Sequence, residues 1–458
     1  MGFVDSTGLR ADFAVRLSEL YGTEVPAYTT LVEVAHEVNS DVVARLGAEA
    51  ERLGSIDRVT AERHGAIRVG TREELAQVAR VFAAMGMHPV GFYDLRDAIG
   101  GVPVVSTAFR PVDGEELAKN PFRVFTSVLA VADRRYFTED QQRRLETFLA
   151  ARELFPPELL TLADEAIDGG GLDEEQAERF LTLATASFEL SPEPVDRAWY
   201  EELEAVSSVA SDIGGVSSTH INHLTPRVLD IDDLYARMSA RGVTMIDDIQ
   251  GPPRWQGPDV LLRQTSFRAL AEPRSFREPD GSIITDELRV RFGEVEARGV
   301  ALTPAGREVY DRMMVAVDDA LAGVPRIRAA EKAAEVWGSG FPDTEVEMAA
   351  QGLAYYRYTA ARQPGERPAD VPTLIRDGWL EVEPIVYEDF LPRSAAGIFQ
   401  SNLTGEGSKD ATQQAVELDE AWMAEVLGRP LHDPYELYAA QSEASLASAL
   451  EALDASDH

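Results

Sequence analysis

Two short stretches set a histidine and an arginine at a spacing that a β-strand turns into a shared face. One is His64-Gly65-Ala66-Ile67-Arg68-Val69, the other His223-Leu224-Thr225-Pro226-Arg227-Val228. Both read H-x-x-x-R-V. Each is followed by an acidic-start helical pattern that ends in glycine before another strand-like run, TREELAQVARVFAAMG in the first case and DIDDLYARMSARG in the second. Such self-similarity marks an internal structural repeat. Side chains alternate faces along a strand, so His64 and Arg68 look the same way, as do His223 and Arg227. A cation is therefore predicted one strand-turn beyond each histidine, facing a common cavity. His220, three residues before His223 in STHINH, falls on the opposite face, and Thr219, Ile221, Pro226 and Val228 disfavour a helix that would reunite the two. His36, His88 and His432 have no comparable surroundings and are read as structural.

Two histidines hold a metal only weakly, and a Lewis-acid or oxygen-activating centre needs a third ligand with positions left open. RFGEVEARG supplies the candidates, because Glu294 and Glu296 share a strand face. Parity does not choose between them. The chain has no cysteine, which excludes disulfides, thiolate zinc sites, iron–sulfur clusters and cysteine nucleophiles together, so any metal falls to His, Asp or Glu.

The elements that must position these residues follow from periodicity. Residues 1–62 carry apolar positions at helical spacing, with a break or cap expected at Ser40 and Asp41. Residues 63–112 read as strand, helix and two strands. Residues 113–212 read mostly as helix and form an insertion. Residues 213–302 repeat the strand–helix–strands order. Residues 303–458 are mostly helical, with an Ala/Glu-rich tail, 441–458, expected to fray.

The 458 residues, 45% of them hydrophobic, suffice for a large core or two coupled ones. A net charge of −36, with lysine only at Lys119, Lys332 and Lys409, excludes a basic nucleic-acid surface and repels anionic lipid. No stretch approaches the ~20 apolar residues that span a bilayer, and no signal-peptide pattern opens the chain, so a cytoplasmic location is expected. The oligomeric state has no sequence signature here.

The repeat, with a histidine at each first strand, resembles the vicinal-oxygen-chelate superfamily. HGAIRVGT, THINHLTPRVLDID, FGEVEARGVALTPAGREVYD and YEDFLPRSAAGIFQSNL, in order over residues 64–403, are similar to the 2-oxoadipate dioxygenase/decarboxylase (hydroxyglutarate synthase) family, once labelled DUF1338. The resemblance implies an α+β fold of two βαβββ modules, 63–112 and 213–302, forming a curved central sheet or half-barrel. Helical insertions flank them, and a C-terminal region brings residues 387–403 to the site. It implies an Fe(II) enzyme that converts 2-oxoadipate and O2 to D-2-hydroxyglutarate and CO2 in lysine catabolism. Its metal ligands fall on His64, His223 and Glu294, its substrate-carboxylate arginine on Arg68, and its further substrate contacts on Arg393 and Ser394. The family usually has a small apolar residue where this chain has Arg393, so Arg393 either clasps a distal carboxylate or marks a different 2-oxo acid. Two other readings share the fold: a glyoxalase-like metal isomerase, and a ligand-sequestering protein without chemistry.

Overall fold

The computed structural model describes residues 2–97, 101–269, 271–288, 291–361, 363, 366–391, 409–410 and 412–456. Two helices, Ser6–Glu24 and Pro26–Leu46, open the chain. The first is capped by Asp5, whose side chain accepts from the Gly8 N–H, and Pro26 starts the second, where a missing N–H costs nothing. The expected break at Ser40 and Asp41 is absent. Ser40 Oγ instead donates to the His36 carbonyl at 2.8 Å, which satisfies the hydroxyl inside a continuous helix.

A five-stranded sheet follows, in the order His88–Asp94, Val104–Arg110, Arg123–Leu129, Arg63–Val69, His223–Pro226. Arg63–Val69 runs parallel to Arg123–Leu129, with His64 beside Arg123, and antiparallel to His223–Pro226, with Ala66 beside His223. The antiparallel pair Leu262–Phe267 and Gly293–Arg298 continues outward from that edge through an Arg227–Glu296 bridge, where the Val228 N–H donates to the Glu296 carbonyl at 2.8 Å. Beyond it, the VTMIDDI run and the Gln250 that follows it form only isolated bridges, from Met245 to Phe267 and from Gln250 to Gln264.

Residues 113–212 do contain the expected helices, Glu139–Ala150, Pro157–Gly169, Glu174–Ala186, Arg197–Glu204 and Ser208–Gly215. Their opening also holds Arg123–Leu129, in the middle of the sheet. All seven residues of that strand are buried, so it lacks the alternation of polar and apolar positions that marks a half-exposed strand.

Alternation does sort the strand Arg63–Val69. Ile67 and Val69, with Val105, Phe109, Val124 and Val128, pack on the helix Arg72–Ala84 through Leu75, Val78 and Phe82. Ala66, Ala108 and Phe125 face the other way, toward Leu145, Leu203, Ile213, Phe292 and Phe390. The C-terminal region builds a separate core around Trp337, the hairpin Tyr356–Ala360/Leu380–Pro384 and the helix Pro434–Ser456. Tyr438, Ala449 and Leu453 are buried there, so the tail expected to fray is helical and packs on this core as far as Leu453. The molecule is thus a mixed α/β protein with several sheets. Among the described residues no helix is long and apolar enough to cross a membrane.

Candidate metal centre

The strand register brings His64, His223 and Glu294 together. One potential ligand atom from each lies within 4.8 Å of the others, and the side chains are buried. His64 Nε2 is 3.4 Å from Glu294 Oε2, and His223 Nδ1 is 3.6 Å from the same oxygen. The imidazole rings stand nearly perpendicular, 5.5 Å apart. Phe390 meets the His64 ring edge-on at 5.0 Å, and Phe292 stacks on His223 at 5.3 Å, so aromatic walls fix both rings and exclude water. The Thr225 hydroxyl lies 3.1 Å from His223 Nδ1 and donates to Glu294 at 3.4 Å.

Glu294 and Glu296 share a face but not a role. Glu296 sits behind His64, with Oε1 3.1 Å from Nδ1, an ion-pair distance although the ring N–H is not aligned for a hydrogen bond. Arg298 grips Glu296 bidentately, at 2.6 and 2.9 Å, and Arg123 adds a contact at 3.3 Å. The same Arg123 donates to Glu62 at 2.7 Å and to Glu388 at 2.6 Å. Burial alone would raise the Glu296 carboxyl, but Arg298, His64 and Arg123 outweigh it and hold the group well below the usual carboxylate range. Burial pushes His64 down, yet the charge of Glu296 and the hydrogen-bonding carboxylate of Glu294 leave it raised. At His223 burial wins and lowers the group to about 4, against Glu294 and with His64 and Arg68 assisting. His223 therefore offers a neutral ring with a lone pair. Two imidazoles and one buried carboxylate converging on one point form a donor set that suits a divalent cation.

The two arginines of the repeat do not share a cavity. Their strands are antiparallel, so the same four-residue step runs in opposite directions from the two histidines. Arg68 reaches the buried Asp212 on one flank. Arg227, on the other, donates to Glu62 at 2.9 Å and to the Leu53 carbonyl at 2.8 Å, inside the Glu62–Arg123–Glu296 network. The expectation of a second cavity-facing cation at Arg227 is thereby corrected. His220 stands outside the His64–His223–Glu294 cluster, with Nε2 3.2 Å from Asp212 and 3.1 Å from Asn222 Nδ2. Arg393 and Ser394 lie outside the described residues.

A cavity of about 740 Å³ near the sheet, lined by Thr71, Arg72, Val131, Arg152, Leu418 and Trp422 among others, includes none of the three clustered residues. A smaller one, about 330 Å³, runs past Tyr93, Tyr387, Asp389 and Tyr438 to Phe390, the ring that covers His64. Asp212, Phe292, Phe390 and the Arg123–Arg298 network were not singled out by sequence. The β-branched and aromatic content of RVFTSVL could have placed Arg123 on a strand; nothing local marks Asp212.

The chain is similar to known proteins over nearly its whole length. The model of the 2-oxoadipate dioxygenase/decarboxylase family matches residues 13–402. A 2-oxoadipate dioxygenase/decarboxylase of Mycobacterium tuberculosis is 59% identical over 440 residues, covering 95% of this chain and 96% of that one. The crystal structure of the hydroxyglutarate synthase of Pseudomonas putida in complex with 2-oxoadipate superposes with a TM-score of 0.82 at 40% identity, covering 99% of both chains. A putative glyoxalase superfamily protein of Ralstonia eutropha shares the fold more distantly, with a TM-score of 0.50 at 19% identity over 65% of this chain and 85% of that one.

Proposed function

The chain belongs to the 2-oxoadipate dioxygenase/decarboxylase family, and on that premise we propose that it is an iron(II) enzyme. In this reading it converts a 2-oxo diacid, 2-oxoadipate, and O2 into D-2-hydroxyglutarate and CO2, a step of lysine breakdown. The observation that carries it is the convergence of His64, His223 and Glu294 on one buried point. His64, His223 and Glu294 would hold an iron(II) ion with positions left open, and that ion would supply the redox chemistry with the 2-oxo acid and O2. One oxygen atom ends in the new carboxylate left by decarboxylation, the other in the hydroxyl on the adjacent carbon.

The protein's part is placement. Arg68, on the same strand face as His64, grips a substrate carboxylate, because a planar guanidinium fixes direction as well as charge. Phe390 and Phe292 keep bulk water from the reacting carbons. Glu296 and Arg298 hold His64 from behind. Arg393 and Ser394 complete the substrate contacts, Arg393 taking the distal carboxylate.

The strand order supports a two-module architecture. From the seam between Arg63–Val69 and His223–Pro226 the order runs 63–69, 123–129, 104–110, 88–94 on one side. On the other it runs 223–226, 293–298, 262–267 and then the bridges at 245 and 250. The sequence order of each half, first strand, last strand and then the inner ones, is the same, as two βαβββ units flanking one site require.

Fe(II)-loaded protein offered a panel of 2-oxo acids should consume O2 and release CO2 in equal amounts with 2-oxoadipate, and diacids should outcompete monoacids of equal length. Zinc-loaded protein should do neither. Turnover without O2 uptake would replace this reading by a glyoxalase-like isomerisation.

A further inference from the structure

Arg68 is buried and forms an ion pair with Asp212, which is also buried and lies on the helix Ser208–Gly215, 144 residues away in the chain. Asp212 is itself fastened. Asn222 Nδ2 donates to Asp212 Oδ2 at 2.9 Å and lies 3.1 Å from His220 Nε2, which is itself 3.2 Å from Asp212 Oδ1. The 219–222 loop is in turn tied to the arginine's own strand. The Thr219 hydroxyl donates to the Arg68 carbonyl at 2.6 Å, and the Asn222 N–H donates to the Ala66 carbonyl at 2.9 Å. His220, Asn222 and Thr219 are all buried. The THINH motif thus has two uses. His223 enters the metal cluster, while Thr219, His220 and Asn222 close around Arg68 and Asp212.

We propose that Asp212, held by Asn222 and His220, is the positioning residue of Arg68, fixing the guanidinium in the orientation that receives the substrate carboxylate. The proposal rests on the substrate-binding reading of Arg68. A long arginine stem carries several rotatable bonds, and a buried cation without a fixed anion turns to whichever carboxylate it can reach. A fixed anion at Asp212 therefore holds the guanidinium in one direction, pointed at the ligand. The opposing effect is electrostatic: Asp212 also cancels part of the charge that attracts an anionic substrate. The two effects predict opposite signs for removing its charge, and orientation dominates because bidentate recognition depends on angle as well as charge.

The test measures 2-oxoadipate binding to Mn(II)-loaded protein without O2, by calorimetry, alongside Mn(II) affinity and the thermal midpoint. Asp212→Asn should weaken 2-oxoadipate binding tenfold or more while Mn(II) affinity stays within about threefold. Asp212→Glu should recover part of the loss, and His220→Ala and Asn222→Ala should each weaken binding by a smaller factor in the same direction. Tighter or unchanged binding in Asp212→Asn would assign Asp212 as a mere counter-ion and overturn the proposal. If Asp212→Asn does not fold, His220→Ala and Asn222→Ala decide in its place, and unchanged binding in both overturns the proposal. Arg68→Ala separates the premise from the inference. Unchanged binding there sinks the substrate reading of Arg68, whereas lost binding there with intact binding in the Asp212, His220 and Asn222 variants sinks only the positioning role.

Discussion

Glu294 and Glu296 stand two residues apart on one strand and face the same way, yet one touches both histidines and the other touches the back of one. Alternation along a strand identifies the pair and can go no further, because distance along the strand, not face, decides which carboxylate meets the histidines. The H-x-x-x-R-V repeat was more informative. It singled out His64 and His223, which the structure brings together, and parity set His220 apart, which the structure places on Asp212. Their roles divide the expected effects of neutralisation. Glu294→Gln should abolish tight metal binding, since it removes the anionic member of the donor set. Glu296→Gln should retain the metal but weaken it by roughly ten- to a hundredfold, the usual cost of losing an outer carboxylate that orients a ligating histidine. Equilibrium dialysis with Mn(II) distinguishes the two. Equal, complete loss in both variants would make Glu296 a ligand in its own right.

At the scale of elements, the site exists because two strand starts pair antiparallel and a third strand joins through the Arg227–Glu296 bridge. That pairing explains why a sequence repeat produced two histidines at one point and two arginines at opposite flanks, a consequence that reading each strand alone misses. The strand Arg123–Leu129 was hidden for a related reason, since a strand buried on both faces has no amphipathic signal and sat before a run of strongly amphipathic helices. The position of Glu294 depends on its neighbour Gly293, where a Cβ would stand 1.9 Å from the Phe267 ring on the paired strand. Gly293→Ala should therefore push the two strands apart and lower stability by about 1–3 kcal/mol, the range for overpacking. Metal affinity should fall with it, because Glu294 moves with the backbone. Adding Phe267→Leu, which clears the ring, should recover stability and metal affinity together in denaturant titrations and dialysis. Recovery of one without the other would show that the strand spacing does not set the site.

For the whole molecule, a net charge of −36 carries no information on where the arginines lie. Arg58, Arg110, Arg123, Arg227 and Arg298 are withdrawn from the surface or nearly so. They interleave with Glu62, Glu296, Glu388 and Asp389, tying the metal-site strands to the C-terminal segment that delivers Phe390. Composition cannot show this, because it counts charges without placing them. The network has a pH signature. Burial would raise the Glu388 carboxyl, but Arg58 and Arg123 outweigh it and hold it below its ordinary value of 4.5. With the folded pKa depressed, the unfolded chain binds the proton more readily. The stabilisation is therefore complete above about 4.5 and is lost as pH falls through the folded value. Glu388→Gln should cost about 3–5 kcal/mol at pH 7, since it leaves buried guanidinium groups short of an anion. The gap from wild type should then narrow as pH drops below 4.5, when the wild-type carboxyl is itself being neutralised. Urea denaturation from pH 7 to pH 3 reads this directly, and a gap that stays constant over that range would mean the ionised Glu388 is not what holds the C-terminal segment against the metal-site strands.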